Sequence, residues 1–163
     1  MLQHLTIRDF VIVDRLELSF LAGFGALTGE TGAGKSILID ALALALGERA
    51  DAGVVRSGCD KAEVAATFDI VALPQVSDWL RTNDLDGDDE LLLRRVVDAG
   101  GRSRAYINGL PTTLGQLREI GERAELIRDL AEELAQQLLE VSPHPGECLK
   151  LEDVRGLVEG DPE

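Results

Sequence analysis

Residues 29–36 read Gly-Glu-Thr-Gly-Ala-Gly-Lys-Ser, three glycines within six positions followed by an ammonium and a hydroxyl. The run Ala26–Thr28 before them reads as the end of a short buried strand. Residues 35–46 after them are apolar on nearly every side and rich in Ala and Leu, so they predict a helix, with Gly47 as its C-terminal stop. A helix apolar all round must be buried. The chain therefore has to build its core around a strand, a glycine-rich bend and an internal helix.

That bend has a chemistry. Glycine permits backbone conformations closed to other residues, so successive N–H groups converge on an anion while the helix adds the positive end of its dipole. The octapeptide fits GxxxxGK[ST] at every fixed position and sits in the strand-to-helix context that this phosphate cradle requires. Gly29, Glu30, Thr31, Gly32, Ala33, Gly34, Lys35 and Ser36 are thus the candidate binding residues for a nucleoside triphosphate. Lys35 is expected to reach the β- and γ-phosphates, and the Ser36 hydroxyl to enter the coordination shell of Mg²⁺. Hydrolysis needs a further carboxylate on a neighbouring strand. Asp40 lies inside the predicted helix, and Asp69, closing the run 64–69, reads as an ordinary strand residue with an exposed carboxylate.

Composition limits the partners. With 16 Lys and Arg against 30 Asp and Glu in 163 residues, the net charge of −14 excludes whole-molecule attraction to nucleic acid or anionic lipid. Any polyanion must be held locally. Cys59 and Cys148 form no CxxC pair, and with no secretory leader read at the N-terminus the expected setting is the reducing cytoplasm. The most apolar run, 37–46, falls far short of the roughly 20 residues that cross a bilayer, so no membrane partner is expected.

Alternating apolar residues in 2–7 and 11–20, including Val11 and Val13, predict an N-terminal hairpin. Residues 63–70 read as a strand, 75–81 as a short helix after Pro74, and 83–90 as an acidic loop. The runs 91–97 and 102–107 flank Asp98-Ala99-Gly100-Gly101 and should pair antiparallel. After Asn108-Gly109, read as a turn, heptad-spaced apolar residues from 113 to 141 predict one amphipathic helix, and the acidic, proline-bearing stretch 142–163 a mobile tail. The expected fold class is α/β, a P-loop nucleotide-binding fold with a mixed sheet and an antiparallel β-subdomain.

The segments 5–13 and 25–36 closely resemble the start of the RecN family of bacterial DNA repair proteins. The likeness continues through 41–50, 55–58, 62–64 and 101–109, covering residues 1–122. RecN is an SMC-like ABC ATPase, in which N- and C-terminal lobes joined through a coiled coil form one head and two heads sandwich ATP. The resemblance implies an N-terminal head lobe using ATP and Mg²⁺ in double-strand break repair. It further implies a complementary C-terminal lobe carrying the Walker B carboxylates and signature serine, a head-head dimer through ATP, and DNA contact through the complete assembly. Beyond Arg123 the family would bring a Q-loop glutamine, whereas this chain stays helical in pattern over 123–141.

Several residues keep two readings. Arg56 matches a loop arginine that such heads place near nucleotide or DNA, and reads otherwise as a solvated turn residue. Arg94, Arg95, Arg102 and Arg104 are either a local basic face or charged edge strands. Trp79 and Tyr106 read as packing residues, and His144 with Cys148 lacks the further ligands a zinc site needs. Two functions compete with the head lobe: a small P-loop metabolite kinase with an arginine lid, and a nucleotide-stabilised interaction module. The kinase would alternate strands and helices about a parallel sheet.

Overall fold

The computed structural model describes residues 2–20, 26–28, 32–123 and 148–150. Its centre is a six-stranded sheet of β1 (Leu2–Phe10), β2 (Val13–Ser19), β4 (Lys61–Asp69), β5 (Glu90–Asp98), β6 (Ser103–Ile107) and β7 (Leu110–Thr112). The spatial order is β2-β1-β4-β5-β6-β7, with every neighbouring pair antiparallel. A separate parallel pair joins β3 (Ala26–Thr28) to β8 (Cys148–Lys150). The parallel, helix-alternating layout of a small kinase is not what this sheet has.

Alternation decides which face is covered. Ala62, Val64, Ala66 and Phe68 of β4 and Leu91, Leu93 and Val97 of β5 point into one core with Ala105 and Ile107 of β6. On β1 the phase slips between Leu2 and His4, a register shift that lets Leu2 and Leu5 both be buried. Helix α1 (Gly32–Ala45) lies over β4 and β5, and α3 (Leu114–Arg123) packs on β6 and on α2 (Pro74–Thr82). α1 buries Ile37, Leu38, Ala41, Leu42, Leu44 and Ala45 and leaves Ser36 and Asp40 exposed. Gly47 ends it at φ +100°, a value available to glycine without strain.

Local chemistry sets the other boundaries. Pro74 opens α2 at a position where no N–H is needed. Thr113 and Gln116 form a reciprocal capping box at the start of α3, Gln116 N donating to Thr113 Oγ1 and Thr113 N to Gln116 Oε1, each at 3.1 Å. Two local expectations need correction. Val11 is no strand residue: it sits in the β1–β2 turn at φ +55°, donates its N–H to Val54 O, and is exposed with Ile12. Residues 110–112 add an edge strand where only a turn and a helix start were expected, and Pro111 is tolerated there because an outermost strand needs no second set of donors.

The predicted helix is seen as far as Arg123, and its predicted continuation to 141 lies outside the described residues. So does the expected tail, apart from β8. No described helix is long and apolar enough to cross a membrane.

Candidate functional site

β3 runs toward the glycine-rich segment and α1 begins at Gly32, so Gly32, Ala33, Gly34, Lys35 and Ser36 occupy its first turns. Gly29, Glu30 and Thr31 lie outside the described residues. The first turn of α1 carries no carboxylate, so the free N–H groups and the positive end of the dipole keep their attraction for an anion. Ser36 is exposed on the helix surface. Main-chain donors, an ammonium and a hydroxyl make a donor set that fits a polyphosphate. Among the described residues no group of three or more His, Cys, Asp or Glu is placed to hold a metal.

The opposite end of α1 is held by side chains that sequence reasoning had not connected to it. Arg95 on β5 is fully buried in phase with Leu91, Leu93 and Val97. Its Nη1 donates to the carbonyls of Leu44 and Glu48, each at 3.3 Å, and its Nε to Ser103 Oγ at 3.2 Å. Arg118 on α3 donates from Nε to Gly47 O at 2.8 Å. Two cations thus meet the carbonyls at the negative end of the helix dipole, the favourable polarity. Burial, and after it the like charge of Arg118, pulls the Arg95 pKa below its usual value.

The four arginines suspected of forming one basic surface are dispersed. Arg94 and Arg95 are neighbours on a strand and so face opposite sides of the sheet. Arg94 makes two bonds to Glu63, at 2.8 and 3.1 Å, and lies 4.9 Å from the centre of the Tyr106 ring. The hydrogen bonds from Arg94 hold the Glu63 carboxyl below the usual carboxylate range, against the opposing effect of burial. Arg102 sits in the β5–β6 turn, its N–H donating to Asp98 Oδ1, and Arg104 is exposed. Nor are these edge strands, since β5 and β6 are interior to the sheet.

Arg56 is anchored to the β1–β2 turn. Its Nη1 donates to Asp14 Oδ1 at 2.8 Å and its main-chain N to Asp9 O, while Asp9 Oδ1 accepts from Cys59 Sγ at 3.2 Å. That bond to Asp9 is the main cause of the raised Cys59 pKa, so the thiol stays protonated. Asp69 accepts from Val71 N and turns the chain out of β4. Trp79 packs as expected, and its Nε1 also donates to Glu119 Oε1 at 2.9 Å. Strand parity was the signal for Arg95; Arg118 and Glu119 have no local signal, because their partners lie 71 and 40 residues away.

A family model described as an AAA domain matches residues 4–76. DNA repair protein RecN of Xylella fastidiosa (strain Temecula1) is 50% identical over 120 residues, 74% of this chain and 22% of that protein. The chain is a relative of RecN. RecN of Synechocystis sp. (strain PCC 6803) is 37% identical over 161 residues, 96% of this chain and 26% of that protein. The chain therefore spans about a quarter or less of the length of these RecN relatives. The Smc head domain with an extended coiled coil from Pyrococcus furiosus, solved bound to the C-terminal domain of ScpA, superposes with a TM-score of 0.63 at 24% identity. The match covers 76% of this chain and 33% of that one, and it shows that the RecN-like chain has the fold of the matched part of an Smc head domain.

Proposed function

We propose that this chain is the ATP-binding N-terminal head lobe of a RecN-like ATPase acting in recombinational repair of DNA double-strand breaks. The observation that carries the reading is the octapeptide 29–36 at the junction of β3 and α1, in a chain half identical to RecN over three quarters of its length. Main-chain N–H groups of 29–34 bind the phosphates, Lys35 places its ammonium on the β- and γ-phosphates, and Ser36 supplies a hydroxyl to Mg²⁺. A complementary C-terminal lobe provides the metal carboxylate and water-orienting groups, two heads close on ATP, and DNA is engaged by that assembly in the cytoplasm. With its net charge of −14 the lobe does not attract DNA as a whole. For Arg56 to touch nucleotide or DNA, it must exchange its ion pair with Asp14 for a phosphate.

The test is a MgATP titration with a parallel turnover assay. Saturable binding by the wild type, at least tenfold weaker in Lys35→Ala, with negligible hydrolysis by the chain alone, is expected. Absence of binding by the wild type contradicts the reading, and phosphoryl transfer to a metabolite would establish the kinase instead.

A further inference from the structure

We propose that Arg118 is a positioning residue for the nucleotide site, coupling the tilt of the P-loop helix α1 to helix α3, with Trp79 as a built-in reporter of that coupling. The inference rests on the nucleotide reading above and adds a route by which the bound state of one helix end reaches another element.

α1 is 14 residues long, a strut of about 21 Å. Phosphates gripping the amides at one end exert a pull along the axis that the other end must resist. That other end is tied at three carbonyls by two different elements. Arg95 ties Leu44 and Glu48 to the interior strand β5, where full burial and the second attachment to Ser103 leave it no alternative position. Arg118 ties Gly47 to α3, a surface helix. The first is the fulcrum and the second is the link that can move.

The link has no slack. A Cβ on Gly47 would come within 2.8 Å of Arg118 Cγ, and one on Gly121, one turn further along α3, within 3.0 Å of Leu46 O. The turn 46–47 that closes α1 therefore lies at backbone distance from α3, and a shift of that end of α1 must displace α3. Residue 119, next to the link, holds the indole of Trp79 on α2 through the Glu119 carboxylate. Arg118 and Glu119 thus grip α1 and α2 from adjacent positions. Trp79 is the sole tryptophan of the chain, so tryptophan emission reports on this one site, the core packing of the indole and its bond to Glu119.

The coupling is tested with the full chain by titrating MgATP against Trp79 emission, while equilibrium dialysis measures binding independently, for wild type, Arg118→Ala and Arg118→Lys. The wild type should change its Trp79 emission in step with binding. Arg118→Ala should lose that spectral change and bind on the order of fivefold more weakly. Its nucleotide-free melting temperature should fall, because Gly47 O loses its donor, so binding is compared at a temperature where both proteins remain folded. Arg118→Lys, which keeps a cationic donor, should restore part of both signals. Dialysis that shows binding with the same affinity and the same Trp79 response in Arg118→Ala overturns the coupling alone. No binding by wild type in dialysis overturns the nucleotide reading and the coupling with it.

Discussion

Arg95 shows how much a single side chain depends on its phase along a strand. Grouped by sequence proximity with Arg94, Arg102 and Arg104 it suggests a basic surface; counted by twos from Leu91 and Leu93 it belongs to the core, where a guanidinium survives only because the Leu44 and Glu48 carbonyls and Ser103 accept its hydrogen bonds. Replacing Arg95 with Met keeps much of the volume but strands those acceptors, and should lower unfolding free energy by about 3 kcal/mol in a urea titration. Its neighbour Arg94 is half exposed, and its pair with Glu63 is worth no more than about 1 kcal/mol. That contribution has a definite pH dependence. Because Arg94 depresses the folded-state pKa of Glu63 below its ordinary 4.5, the stabilisation is complete above that value and disappears as pH falls through the lower, folded one. The stability difference between wild type and Glu63→Gln should accordingly be flat near neutrality and shrink on acidification below about pH 4.5.

Secondary-structure elements were legible where one local rule dominates. The alternation of β4, the proline opening α2 and the glycine closing α1 all sit where their sequences place them. The capping box of α3 is equally local, and Thr113→Ala, which removes its Oγ acceptor for Gln116 N, should cost about 1 kcal/mol by chemical denaturation. What escaped was decided by distant partners. The strand 110–112 exists because β6 offers it a free edge, and the turn at Val11 is pinned by Val54, 43 positions along the chain. Asn108, read as a turn residue, does sit at φ +48°, yet its side chain also accepts from Leu92 N and donates to Leu85 O, securing the acidic loop 83–89 to β5.

At the scale of the molecule, one helix connects the end proposed to bind phosphate to the packing of three other elements. Half of the candidate site, the octapeptide and its helix, was readable because glycines, lysine and serine must occupy fixed positions to wrap a phosphate. In the supporting half, strand parity marks Arg95 as a core residue but not its partners, while Arg118 and the Trp79–Glu119 bond arise from three-dimensional proximity and have no linear signature. The central claim concerns how many phosphates the bend grips, and equilibrium dialysis of Mg²⁺ with AMP, ADP and ATP against wild type and Lys35→Ala measures that directly. The account predicts that wild-type affinity climbs steeply from AMP to ADP to ATP and that Lys35→Ala flattens the series; equal affinity for all three, or a series unchanged by removing Lys35, would contradict it.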